Sequence, residues 1–209
     1  MKPGTSGYAC VFLIIFYSVG ILGFSIPDTR ELFRNLIPMN LLVSAALLFL
    51  FHRTWNLKSV MAFLTITVTG FITELIGVNT GLLFGSYSYG SNLGIKILNT
   101  PLLIGLNWLV LIYCIYLAFG EINKKWYFPF LGSAAMVIYD FVMEPLAIQL
   151  GMWNWHDNVI PFKNYATWFI IALLLFYFLY FVKESFRNPV AKCLLLIQFL
   201  FFLILSLIF

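Results

Sequence analysis

Seven separate apolar runs dominate this chain, and each is long enough, or nearly so, to cross a bilayer as a helix. A spanning helix takes about 20 apolar residues, because hydrocarbon offers the backbone no other hydrogen-bond partners. The runs are Tyr8–Ile26, Ile37–Phe51, Lys58–Gly77, Pro101–Gly120, Trp126–Leu150, Ala166–Val182 and Val190–Phe209. The second is short and the fifth long, so tilted helices are expected. The first follows Lys2 and imitates a secretion signal, but it is long and further spans follow, so it reads as a retained helix. The expected fold class is all-α: a polytopic membrane helix bundle of about seven transmembrane helices, forming a single integral membrane domain over residues 1–209.

Composition agrees. Hydrophobic residues make up 62% of the chain and charged residues 10%, against about 25% charged in soluble domains. The net charge of +4 comes from basic residues in short loops, which points to membrane topology rather than to nucleic acid. Eight of them (Lys2, Arg53, Lys58, Lys124, Lys125, Lys183, Arg187, Lys192) fall on one side, and four (Arg30, Arg34, Lys96, Lys163) on the other. The positive-inside rule then predicts a multi-pass protein of the cell (inner) membrane, with a cytoplasmic N-terminus and an outer C-terminus. Cys10, Cys114 and Cys193 all lie in apolar runs without metal or redox spacing and read as small core residues. The 23 Phe and 11 Tyr suit a long, flat, apolar partner as well as they suit lipid and interface contacts.

Two loops break the pattern, and both fall on the predicted outer side. The first follows Glu74 and carries Asn79, Gly81, Gly85, Tyr87 and Tyr89; its glycines predict close backbone approach or positive φ. The second carries Trp153, Trp155, His156, Asp157, Asn164 and Tyr165, which suggests a lid. The helix ends entering these loops hold the ionisable residues. Gly70, Glu74 and Gly77 share one face of the third span, and Asp140 and Glu144 stand at i, i+4 on the fifth. Pro145 frees a carbonyl beside them. Asn107 and Trp108 lie near the same end of the fourth span. A carboxyl inside a span costs ~2.5–3.5 kcal/mol on insertion scales and usually marks function. The alternative is a buried polar cluster that ties helices together.

The inventory excludes much. With only His52 and His156, the chain lacks the imidazole clusters of membrane di-iron oxygenases. His52 is expected near the predicted cytoplasmic interface. No phosphate- or dinucleotide-binding glycine motif is present. No lysine lies mid-span in the last helix for a retinal Schiff base, and no His pairs with a Ser or Cys nucleophile at the outer cluster. Carboxyls, tyrosines and water remain. A carboxyl enclosed by apolar groups can keep its proton at neutral pH, and such an acid can protonate an alkene.

These residues resemble a known family. Glu74-Leu-Ile-Gly-Val-Asn-Thr-Gly…Phe84-Gly-Ser-Tyr-Ser-Tyr, Pro101 with Trp108, Tyr139-Asp140…Glu144-Pro145 and Gly151-Met-Trp153-Asn-Trp155…Pro161…Asn164-Tyr165…Trp168 look like the carotenoid biosynthesis family of CruF-type hydratases. The resemblance covers roughly Glu74 to Trp168, and the flanking helices match in hydropathy alone. It implies hydration of the terminal 1,2 double bond of an acyclic carotenoid ψ-end group to a tertiary alcohol, in an acyclic or monocyclic substrate, with no cofactor. Membrane lipid would be the other partner.

Under that reading Asp140 is expected to be the acid and Glu74 the base or water holder, or the two roles are reversed, with Glu144 as a third carboxyl. Tyr87, Tyr89, Trp108, Trp153, Trp155 and Tyr165 would offer aromatic or hydroxyl contacts, and Asn79, Asn107 and Asn164 would position water. Phe176, Phe178, Phe181, Phe199, Phe201 and Phe202 of the last two spans are candidates either to line the polyene or to face lipid. A membrane binder or proton-coupled transporter, a carotenoid cyclase or isomerase, and a structural pathway subunit would use much the same inventory.

Overall fold

The computed structural model describes residues 4–156 and 158–209. Lys2 and Asp157 therefore lie outside the described residues. Each of the seven apolar runs is a helix. They are α1 (Thr5–Ser25), α3 (Ile37–Phe51), α4 (Leu57–Thr80), α5 (Leu103–Ala118), α6 (Phe128–Gln149), α7 (Phe162–Val182) and α8 (Ala191–Ile208). Among the described residues five helices are long and apolar enough to cross a membrane alone. A sixth crossing is a broken one. Pro27–Asn35 forms an unexpected short helix, α2, bent by 56° against α3. The remaining apolar helix, α5, has 16 residues. The protein is a multi-pass, all-α membrane bundle.

Local chemistry sets the ends. Asn56 and Ser59 form a reciprocal capping box at the start of α4. Gly81, in the left-handed region at φ 65°, closes the same helix through its N–H to the Gly77 carbonyl. Pro27 starts α2, where its missing N–H costs nothing.

The helices pack through small residues, as they must where lipid is as apolar as leucine. α4 runs against α5, and α6 against α7. A Cβ on Gly105 would come within 2.6 Å of the Thr67 carbonyl, and one on Gly132 within 2.9 Å of the Phe176 ring. α5 is enclosed by α3, α4, α6, α7 and α8, and its buried residues run unbroken from Trp108 to Tyr116. The outer helices turn large apolar side chains outward, among them Leu22, Leu50, Phe141 and Phe181.

One end of the bundle collects the C-termini of α4 and α6 and the N-termini of α5 and α7. There the two unusual loops pair as an antiparallel ribbon of β1 (Tyr87–Tyr89) and β4 (Trp153–Trp155), with Tyr87 opposite Trp155 and Tyr89 opposite Trp153. A smaller ribbon joins β2 (Lys96–Ile97) to β3 (Thr100–Pro101). At the other end His52 is buried in protein. Its ring bonds the Tyr113 hydroxyl at 2.6 Å and packs among Trp55, Phe63 and Phe186. Burial holds the His52 pKa below its ordinary value.

Candidate functional site

Glu74 points from the last third of α4 into the bundle and is 3% exposed. The glycines on its face make its surroundings possible. A Cβ at Gly70 would lie 2.5 Å from the Trp108 Cβ, and one at Gly77 2.4 Å from the Phe84 ring. Their absence lets Trp108 and the first loop reach the carboxyl. On α6 the i, i+4 spacing sets Asp140 and Glu144 on one face, both buried. Pro145 leaves the Phe141 carbonyl without its helical donor.

The ribbon supplies the donors. Strand alternation turns Tyr87, Tyr89, Trp153 and Trp155 inward and leaves Ser88 and Asn154 outside. Both tyrosine hydroxyls donate to Glu74 Oε2 at 2.6 Å, and Trp108 Nε1 donates to Glu74 Oε1 at 3.0 Å. Both ribbon indoles donate to Glu144 Oε2, Trp153 at 2.9 Å and Trp155 at 3.1 Å. Asn164, at the start of α7, donates through Nδ2 to Asp140 Oδ2 at 2.8 Å and to Glu144 Oε1 at 3.3 Å. One sheet of four aromatics thus caps two carboxyls on two helices. Burial first, and then the Glu74 carboxyl, push the Tyr87 and Tyr89 phenols well above their ordinary range. They remain donors at any working pH.

Glu74 and Glu144 each accept three hydrogen bonds, which leaves each carboxyl lone-pair capacity for one more partner. Between them lies a cleft walled also by Phe84, Trp168, Asn107 and Met143. It gives the centre of a water-sized sphere about 20 Å³ of room. One water needs about 10–15 Å³ on that measure. Asp140 stands behind this wall: its Oδ2 bonds Asn164, and its Oδ1 is buried without a partner among the described residues. A second cavity of about 350 Å³ adjoins the cleft and shares Ile104, Asn107, Met143 and Trp153 with it. Its lining comes mostly from α1, α3, α5, α6 and α8 and is overwhelmingly apolar.

The structure gathers most of the expected residues. Glu74, Glu144, Tyr87, Tyr89, Asn107, Trp153, Trp155 and Asn164 line the cleft. Trp108 sits behind it, stacked on Trp168 with ring centroids 4.5 Å apart. Two residues are not brought in. Asn79 is exposed and bonds the Leu75 and Leu98 carbonyls and the Asn99 amide, pinning the loop instead. Tyr165 packs against Phe141 and lines a shallow apolar hollow between α6 and α7. His156 is exposed beside the ribbon. Of the six phenylalanines singled out in the last two spans, Phe201 and Phe202 line the large cavity and the others do not. Phe84, Met143 and Trp168 join the cleft without having been assigned a role from sequence; the spacing of Trp168 one turn after Asn164 was the available signal. Among the described residues no three His, Cys, Asp or Glu side chains converge as a metal site.

Comparison with known proteins gives this geometry a context. The chain is similar to bisanhydrobacterioruberin hydratase of Haloarcula japonica, at 29% identity over 150 residues. That similarity covers 64% of this chain and 49% of the relative, so the chain spans about half the length of the curated relative it matches. No solved structure matches it. Residues 36–209, which include every residue of the cleft, match the family described as carotenoid biosynthesis protein. The chain therefore belongs to the carotenoid biosynthesis protein family.

Proposed function

We propose that this chain is a carotenoid hydratase that adds water to the terminal 1,2 double bond of an acyclic ψ-end group. The observation that carries the reading is the nearness of two spaces: a water-sized cleft between two carboxyls, adjoining a larger apolar cavity. Hydration of an alkene needs a proton donor, a water and a base, with apolar room for the rest of the chain. Family membership and the name of the similar archaeal protein support the same reaction class.

In this mechanism Glu144 is the carboxyl that meets the alkene and gives the proton, and Asp140, held by the same Asn164 amide, is its buried neighbour. Two adjacent carboxyls in apolar surroundings do not both ionise readily, so the pair holds a proton between them. The O–H bond breaks as a C–H bond forms at C2, which leaves a tertiary cation at C1. The faces of the ribbon aromatics, Phe84 and Trp168 stabilise that cation. Water held at Glu74 adds to C1 and gives its second proton to Glu74. Return of that proton across the cleft restores the acid pair. No step uses a cofactor. In the proposed orientation the N-terminus is cytoplasmic, and the site lies in the outer half of the inner membrane.

The test is product analysis. The chain is expressed in cells that accumulate lycopene or γ-carotene, and the pigments are separated and weighed by mass spectrometry. A gain of one water per reacting end is expected. An unchanged pigment profile from well-expressed protein would remove the hydratase reading and favour a binder or transporter.

A further inference from the structure

The large cavity has a roof and a floor. At the roof, α2 folds over the tip of α1. Thr29 Oγ1 donates to the Gly23 carbonyl at 2.8 Å, and Arg30 Nε donates to the Phe24 carbonyl at 3.0 Å. The Phe33 ring lies over Gly23, where a Cβ would not fit, and meets the Phe24 ring edge-on with centroids 5.9 Å apart. At the floor, Tyr17 of α1 donates its hydroxyl proton to Asn40 Oδ1 of α3 at 2.9 Å, and Gln198 Nε2 of α8 donates to the Tyr17 oxygen at 2.9 Å. Those bonds tie three helices together.

Between roof and floor, α1 and α3 leave a gap. Val19 of α1 is 49% exposed, and Leu36 and Met39 at the bend into α3 are 42% and 54% exposed, yet all three line the cavity. Side chains that line an interior space and also meet the surroundings stand at its mouth. From Tyr17 to Gly23 the edge along α1 rises about 9 Å. Its rim is apolar, so the mouth opens on hydrocarbon and not on water.

Size decides what the mouth is for. Along α1 the cavity wall runs from Phe16 to Phe24, about 12 Å of helix rise. A carotenoid is about as long as a hydrocarbon core is thick, roughly 30 Å, and conjugation keeps it straight. It cannot coil into the cavity. With one end against the Glu74–Glu144 cleft, the rest of the chain must leave by the open side.

We propose that the gap between α1 and α3 is a lateral mouth, through which one end of the polyene enters from the bilayer while the rest of the chain stays in lipid. The proposal rests on the carotenoid reading of the cavity. It makes the protein a reader of an end group, indifferent to what the far end carries.

Purified protein in lipid nanodiscs is loaded with radiolabelled lycopene, and empty discs are subtracted. On the wild type, unlabelled lycopene, acyclic at both ends, should compete about twofold better than γ-carotene, acyclic at one, as mass action over equivalent ends requires. β-Carotene, with a ring at both ends, should not compete. Val19→Trp and Met39→Trp should each slow loading and release about tenfold, by crowding the passage. Leu22→Trp is the control: Leu22 is exposed on the same helix but does not line the cavity, so its rates should match the wild type. Absence of specific retention, failure of γ-carotene to compete, unchanged rates in both mouth variants, or equal slowing in Leu22→Trp would each overturn the proposal. The wild-type competition needs no variant to fold. Mouth-dependent loading without hydrated product would leave the mouth standing and remove the hydratase reading; hydrated product with loading unchanged in both mouth variants would do the reverse.

Discussion

Replacing Glu144 with Gln separates the chemistry of the cleft from its architecture. The carboxyl accepts from Trp153 and Trp155 on Oε2 and from Asn164 on Oε1. An amide has one oxygen for these three donors. If that oxygen stays under the two indoles, the new NH2 faces the Asn164 amide donor at about the 3.3 Å of the present contact. Asn164 must then turn over, which takes from Asp140 the one donor it has. Either way at least one hydrogen bond to a carboxyl is lost, about 1.5–3 kcal/mol of stability. Turnover should fall further, by about 10²- to 10⁴-fold, because an amide has no acidic proton to give. The assay compares hydrated product per folded molecule, with the folded fraction fixed by the thermal unfolding of protein in nanodiscs. A variant that folds and keeps turnover within about fivefold of wild type, well short of that range, would refute Glu144 as the donor. Were Asp140→Asn inactive in the same assay, the acid would be Asp140 acting directly.

Three further outcomes follow from the geometry. Gly70→Ala puts a methyl 2.5 Å from the Trp108 Cβ, so it should cost about 1–3 kcal/mol by overpacking and lower turnover as Trp108 leaves Glu74; Gly7→Ala, with open space around it, should leave both unchanged in the same melts and product assays. Asn79→Ala should cost about 1 kcal/mol of stability or slightly more, read as a lower unfolding midpoint, without changing turnover per folded molecule, since its bonds hold the loop and not the cleft. Burial lowers the His52 pKa below the unfolded value of 6.5, so the unfolded chain binds the proton more readily. Its contribution to stability is therefore complete above about pH 6.5 and is lost as pH falls below that value toward the folded pKa; midpoints measured from pH 7.5 to 5 should decline, and less so in His52→Phe.

What could be read from sequence depended on how far each signal reached along the chain. Long apolar runs identify themselves, and all seven became helices, with Ile37–Phe51 bounded as expected. α2 escaped because Asp28, Arg30, Glu31 and Arg34 give it the polarity of a loop. Glu74, Asp140 and Glu144 stood out because charge inside a span is costly. Their convergence on one cleft, with Asp140 behind and Glu144 in front, needed coordinates. Asn79 was drawn in by nearness in sequence, yet five residues of helix rotate it about 140° away from Glu74. Tyr165, next to Asn164, is turned about 100° off the site for the same reason. Tyr-Ser-Tyr and Trp-Asn-Trp do alternate, but three residues are too few to announce a strand pair between loops more than sixty positions apart.

The enclosure of α5 has a mechanical consequence. Its 16 residues rise about 24 Å, less than the roughly 30 Å of a hydrocarbon core. A helix that short would strain a bilayer it touched, by thinning it or by leaning within it. α5 touches protein on every side, so it has no membrane to match. Changes in lipid chain length act on the tilt of the surrounding helices, while Asn107 and Trp108 keep their depth on a shaft that lipid does not reach. Such a protein should work in membranes of different thickness without retuning its site, and the peripheral helices alone would register the difference.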